Sequence, residues 1–248
     1  METDGLCFTG PVEPQACLNG ERSPADHPAV PITAAQVASA AADVAALGVT
    51  AVHVHPRDAT GRTTLLGPEL AATVAAVRAA VPTATVGVTT GAWAEPDPHR
   101  RAALVAAWTG LAAGRPDLAS VNVHEDGWWE VCAALYSAGI AVELGVFDPP
   151  AAATLRTQGI PPAAIRVLAE VRPDAAPEPL LDALAWVPLP LLLHGEEAST
   201  WPVLTTATHL GLATRIGLED TLHLPDGTVA ADNAALVRAA LERTTAQF

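Results

Sequence analysis

From about residue 16 onward, short apolar runs alternate with amphipathic stretches along the whole chain. Eight runs have the length and content of buried strands: Gln15 to Leu18, Thr50 to His55, Thr85 to Thr89, Leu118 to Val123, Ile140 to Phe147, Ile165 to Glu170, Leu189 to His194 and Thr214 to Leu218. Between them the period changes to that of helices. Thr33 precedes a stretch in which Val37, Ala41, Val44 and Leu47 recur at helical spacing, and Gly48 stops it. The same logic predicts helices over Pro68 to Ala80, Asp97 to Ala113, Asp126 to Ala138, Pro149 to Gln158, Thr200 to Leu210 and Asp232 to Thr244. Pro173 to Pro188 is too rich in proline for one clean helix.

Strands that alternate singly with helices predict a parallel sheet, and eight such units fit a (β/α)8 TIM barrel. A doubly wound open sheet is the alternative. No linker interrupts the rhythm, so residues 1–248 are expected to form one domain, with 1–15 as an N-terminal extension. In a barrel the strands' C-terminal ends make the site mouth. Polar residues gather at those ends: Asn19 and Glu21, then His53, His55, Arg57 and Asp58, then Thr89 and Thr90, then Asn122, His124 and Glu125, then His194, Glu196 and Glu197, and finally Glu219 and Asp220.

Composition narrows the classes. Half of the residues are apolar, which excludes a disordered chain. No run approaches the roughly 18 to 20 apolar residues of a membrane span. The first residues lack a basic start, so no secretory signal is expected and a cytoplasmic location is the default. Lys plus Arg total 13 against 27 Asp plus Glu, a formal charge of −14, which argues against nucleic acid or anionic membrane as partner. Cys7, Cys17 and Cys132 have neither disulfide nor zinc-knuckle spacing and read as reduced thiols. All 13 basic residues are Arg, so no lysine can form a Schiff base. Nucleotide-binding glycine loops and a Gly-x-Ser-x-Gly elbow are also missing.

The chemistry that remains is metal and carboxylate chemistry. Side chains two apart on a strand share a face, so His53 and His55 can hold one ion, or else merely hydrogen-bond neighbouring loops. Glu219, on the strand that would close the ring, is a third ligand candidate. Arg215 shares its face and needs an anion, for which Glu143 is a candidate partner. Asp220, beside a ligand, suits a general base. Thr89 and Thr90 offer hydroxyls after the third strand, and Ser120 and Asn122 share a face of the fourth. His194 reads as a group behind the site or on its rim. His27, His99, His209 and His223 read as structural, and packing is the simpler role for Trp128 and Trp129.

Together these motifs resemble the β-keto acid cleavage enzyme family. The anchors are Asn19-Gly20-Glu21, His27 to Thr33, Val52 to Asp58, Thr89-Thr90-Gly91, Ala119 to Asn122, Glu143 to Asp148, Arg215 to Asp220, and Asp226-Gly227 with Asn233. The resemblance implies a (β/α)8 barrel with Zn²⁺ held by His53, His55 and Glu219. It implies a transferase that exchanges a β-keto acid and acetyl-CoA into acetoacetate and a new acyl-CoA, with Asp220 and Arg215 driving the proton transfers. Thr89 matches a family serine and would position substrate with Ser120 and Asn122, while Thr90 is a further substrate-binding candidate from its place in the turn; Glu21 and Glu143 match acidic residues that contact a substrate amino group. The expected assembly is a homo-oligomer, dimer or tetramer. Pro173 to Leu193 and the first fifteen residues lie outside the resemblance. An oxo-acid aldolase or hydrolase without coenzyme A, or a non-catalytic ligand binder, are the other readings.

Overall fold

The computed structural model describes residues 14–245. Eight strands alternate with eight α-helices: β1 (Gln15–Cys17), α1 (Ala34–Ala45), β2 (Ala51–Val54), α2 (Gly67–Ala80), β3 (Thr85–Thr89), α3 (Pro98–Ala106), β4 (Leu118–Asn122), α4 (Trp128–Ala138), β5 (Ala141–Val146), α5 (Pro149–Gln158), β6 (Ala164–Val171), α6 (Glu178–Leu184), β7 (Leu191–Gly195), α7 (Thr200–His209), β8 (Arg215–Ile216) and α8 (Asn233–Thr245). Each strand pairs in parallel with the next, and β8 returns to β1. The ring closes where Leu192 bridges Ala213, with the Leu193 amide donating to the Ala213 carbonyl at 2.8 Å. This is the expected (β/α)8 barrel. The N-terminal extension, but for its last two residues, and Cys7 lie outside the described residues.

The alternation of each strand decides what the barrel holds. Val52, Val54, Val86, Val88, Ala119, Val121, Val142 and Leu144 face outward into the helix layer and are almost wholly buried. Each such valine or leucine contributes about 1.5 to 3 kcal/mol through burial. The intervening positions point inward, and register carries that face around the ring: Cys17 pairs with His53, His53 with Gly87, Ser120 with Glu143, and Glu170 with His194.

Local signals explain the helix ends. The Thr33 hydroxyl accepts the Gln36 amide while the Gln36 side chain accepts the Thr33 amide, closing a capping box on α1. Asp97 caps α3. That helix is shorter than the predicted Asp97 to Ala113. A 3₁₀ turn over Ala107–Gly110 replaces its end, because the fully buried Trp108 turns its indole onto the Leu65 carbonyl at 2.9 Å. The proline-rich stretch after β6 still supplies the short α6, entered through Pro177.

β8 is also shorter than predicted, and one residue accounts for this. A Cβ on Gly217 would lie 1.9 Å from the Cys17 carbonyl oxygen, so β1 and β8 meet at a contact only glycine permits. The chain turns immediately afterward, with the Asp220 and Thr221 amides both donating to the Gly217 carbonyl at 3.0 and 3.1 Å. Gly217→Ala should therefore push the two strands apart and lower the unfolding free energy by about 3 kcal/mol. Urea denaturation of the variant beside wild type measures this.

Candidate metal centre and active cleft

The cleft at the C-terminal end of the barrel measures about 630 Å³, and its walls include His53, His55, Thr89, Ser120, Asn122, Arg215, Glu219 and Asp220. His53 projects from β2, whereas His55 lies just past its end. Asn19 extends the pairing there: its Oδ1 accepts the His55 amide at 2.8 Å and its Nδ2 donates to the His55 carbonyl at 2.9 Å. Asn233 acts likewise beside Glu219. It accepts the Leu218 amide and donates to the Leu18 carbonyl, both at 2.9 Å. Two buried asparagines thus hold the backbone at two ligand positions beyond the sheet ladder. Gly20 has φ of +51°, and a Cβ there would lie 2.5 Å from Glu219 Cγ, so this glycine leaves the carboxylate its place.

His53, His55 and Glu219 form a cluster able to coordinate a divalent metal ion, one ligand atom from each lying within 4.8 Å of the others. Glu219 Oε1 is 3.6 Å from His55 Nε2 and 4.0 Å from His53 Nε2, slightly wider than the roughly 3.3 Å edge of a tetrahedral site with 2.0 to 2.1 Å bonds. The donor chemistry fits as well. His55 Nδ1 meets Glu21 at 2.9 Å, a carboxylate contact that turns Nε2 toward the cluster, and Glu219 Oε2 is buried with no protein partner. Burial holds His53 down to about 4, so it is a neutral donor at neutral pH. Burial also disfavours charge on His55, but Glu219 and the Glu21 hydrogen bond outweigh it and raise its pKa. A cation that displaces this proton would take its electrostatic role.

Behind the ligands lies a charge network. Arg215 is 4% exposed and reaches Glu219 Oε1 at 3.1 Å, Asp220 Oδ1 at 3.1 Å and Glu170 Oε2 at 3.8 Å. The predicted partner was Glu143; it instead pairs with Arg166, its register neighbour on β6, which also donates to Gln15 at 3.0 Å. His194 sits between Asp220, 3.3 Å from its Nδ1, and Glu170, 3.2 Å from its Nε2. Burial and Arg215 both oppose its protonation, yet these carboxylates raise it to about 9. His194 is therefore an imidazolium behind the site, ion-paired with a carboxylate at each nitrogen.

The other candidates fall into two groups. Thr89, Ser120, Asn122 and Glu21 line the cleft. Asn122 is held by Glu125 at 2.9 Å, and Gly145 makes room for it, since a Cβ there would lie 2.4 Å from Asn122 Oδ1. Thr90 and Glu143 do not line it: the Thr90 hydroxyl donates to the Ser120 carbonyl at 2.7 Å, and Glu143 is fully buried. His27 is structural, bonded to the Ala230 carbonyl at 2.9 Å. Cys17 and Cys132 are buried free thiols, burial pushing Cys132 up to about 12. Sequence reasoning passed over Glu170, which obeys the strand-end rule, and Trp93, whose ring stacks 6.0 Å from that of His55.

The fold and this cluster define a metal-binding (β/α)8 barrel enzyme. More narrowly, the chain belongs to the β-keto acid cleavage enzyme family, whose model matches residues 15–246. No curated protein matches the sequence significantly. Among solved structures, ObcA in binary complex with oxaloacetate superposes with a TM-score of 0.66 at 16% identity, covering 87% of this chain and 63% of that one. The ternary complex of ObcA with a C4-CoA adduct and oxalate gives 0.64 at 17% identity, with 87% and 63% covered. A type I 3-dehydroquinate dehydratase from Clostridium difficile gives 0.63 at 12%, covering 94% and 92%. The chain thus spans less than two thirds of ObcA. Among the described residues no helix is long and apolar enough to cross a membrane.

Two measurements test this geometry. Protein purified without chelator should carry about one divalent ion per chain, and His53→Ala or His55→Ala should abolish it in elemental analysis. The second concerns His194. Its folded pKa of about 9 exceeds the ordinary value of about 6.5, so its stabilisation is complete below the latter and lost as pH rises through the former. The stability gap between wild type and His194→Gln, from urea titrations, should be larger at pH 6 than at pH 9.5, by roughly 2 to 3 kcal/mol.

Proposed function

We propose that this chain is a zinc-dependent acyltransferase that converts a β-keto acid and acetyl-CoA into acetoacetate and a new acyl-CoA. The overall exchange balances: the CH₂–COO⁻ unit leaves the donor acyl group for the acetyl group, and the CoA thiolate takes the donor acyl group. The observation that carries the reading is Asp220, 1% exposed and at the cleft wall, whose Oδ1 is engaged by Arg215 while Oδ2 is buried with no partner. It stands one residue from Glu219.

Zn²⁺ held by His53, His55 and Glu219 would supply Lewis acidity to a keto-acid oxygen. The chain's own groups do the rest. Asp220 Oδ2 takes a proton from the carbon between the carbonyl and the carboxylate, and returns it when that carbon becomes part of product. Arg215 and the His194 imidazolium keep Asp220 oriented through Oδ1 and hold positive charge where enolate character develops. Thr89, Ser120 and Asn122 orient the substrate's oxygens on the opposite wall. Glu21, half-exposed at the rim, orients His55 and faces the substrate's far end. Family membership supports the reaction class, and ObcA, seen with a keto acid and with a CoA adduct, supports the substrate classes.

Incubation of the zinc-loaded protein with a panel of β-keto acids, with and without acetyl-CoA, tests the reading. Acetoacetate should form only when both are present. Asp220→Asn should lower kcat by about 10² to 10⁴ with its metal content unchanged. Cleavage without acetyl-CoA would instead make it an aldolase or hydrolase, and no turnover on any acid would make it a binder.

A further inference from the structure

A second hollow of about 540 Å³ opens beside the cleft, between the loops that follow β1, β2 and β3. The two share Glu21, Arg22 and Trp93, so they form one continuous depression. Their charges differ. Seven carboxylates and three arginines line the first, whereas Arg22, Arg57, Arg62 and Arg100 outnumber three carboxylates in the second. In a chain of net charge −14 holding only 13 basic residues, four arginines around one hollow form a local positive field.

Arg22 is already ion-paired with Glu197 at 2.6 Å, and the other three arginines are presented in two ways. Arg57 is held among backbone carbonyls, bonding those of Gly20 and Arg22, and its buried Nε has no partner. Arg62 and Arg100 by contrast present exposed heads, 82% and 71% exposed, each touching one carboxylate through Nε, Asp58 at 3.7 Å and Glu95 at 2.9 Å. Two of the large apolar side chains left exposed on the described surface, Leu66 and Trp93, flank the same hollow. Cations beside an exposed aromatic plane suit a phosphorylated nucleotide: guanidinium forks take phosphate oxygens, and the indole face takes the base.

We propose that this hollow binds the phosphorylated adenosine end of the coenzyme A thioester. Arg62 and Arg100 take the phosphates, and Trp93 with Leu66 flanks the adenine. The pantetheine arm then crosses the boundary at Glu21 and Trp93 into the metal cleft, whose other walls, rich in carboxylates, repel a polyanion. Among the described residues lining the cleft, Arg172 is the exposed cation away from this hollow, and it already lies 3.7 Å from Asp148. The proposal rests on the acyl-transfer reading but stands on a different set of residues.

The test compares wild type with the double variant Arg62→Glu, Arg100→Glu on acetyl-CoA and on acetyl-pantetheine, the same thioester without its nucleotide. The variant should raise KM for acetyl-CoA by about tenfold or more and leave both the KM for keto acid and the rate with acetyl-pantetheine unchanged. An unchanged KM for acetyl-CoA, or an equal loss on both thioesters, overturns the site while leaving acyl transfer in place. If wild type turns over neither thioester, the acyl-transfer reading falls, and calorimetry with 3′-phosphoadenosine 5′-diphosphate decides the hollow by itself. Binding weakened about tenfold in the variant supports the anionic nucleotide site; equal binding, or none by wild type, overturns it.

Discussion

A guanidinium buried to 4% exposure inside a barrel is tolerable only while anions surround it, and Arg215 has three of them. The constraint runs in both directions. Arg215 holds Glu219 well below the usual carboxylate range despite its burial. The same contacts orient both side chains: Arg215 engages Glu219 Oε1, the oxygen that also lies nearest the two histidines, and Asp220 Oδ1, leaving Asp220 Oδ2 without a partner. Glu170 and His194 extend the network across two more strands, so the geometry of three neighbouring strands is written into one set of ion pairs.

Glycines make that convergence possible. Gly217 lets β8 approach β1, Gly20 leaves room for Glu219, and Gly145 leaves room for Asn122. At each, a side chain would meet a site residue or the backbone that carries one. The ring is narrow at the ligand level because these positions carry no Cβ, and the asparagines at 19 and 233 fix the strands' continuations where ladder bonds run out.

Much of this was legible in the sequence because strand alternation is a local property. His53 and His55 had to share a face, and eight apolar runs separated by helical ones had to make a parallel sheet. What alternation cannot tell is depth and neighbour across the ring. Glu143 and Arg215 both point inward, yet Glu143 lies on β5 beside Arg166 of β6, and the adjacent strand supplies the nearer cation. Asp220 depended on where β8 stops, which is decided by a Gly217 contact with a strand 200 residues away. Trp93 left no periodic signal, since it lies in a loop and its position is set by the His55 face it stacks upon.

The charge balance of the site bears on what it can hold. Glu170, Glu219 and Asp220 face Arg215 and the His194 imidazolium, so carboxylates outnumber cations in this group by one, and Glu219 and Glu21 raise the pKa of the neighbouring His55. A divalent ion held by His53, His55 and Glu219 would give this group a single positive charge, with the half-exposed Glu21 screened by water at the rim. A monoanionic carboxylate restores neutrality in a buried site, whereas a neutral ligand leaves the excess charge unpaired. Under the proposed function, preference for an acid substrate would follow from the ion-pair count around Arg215, ahead of any shape complementarity in the cleft.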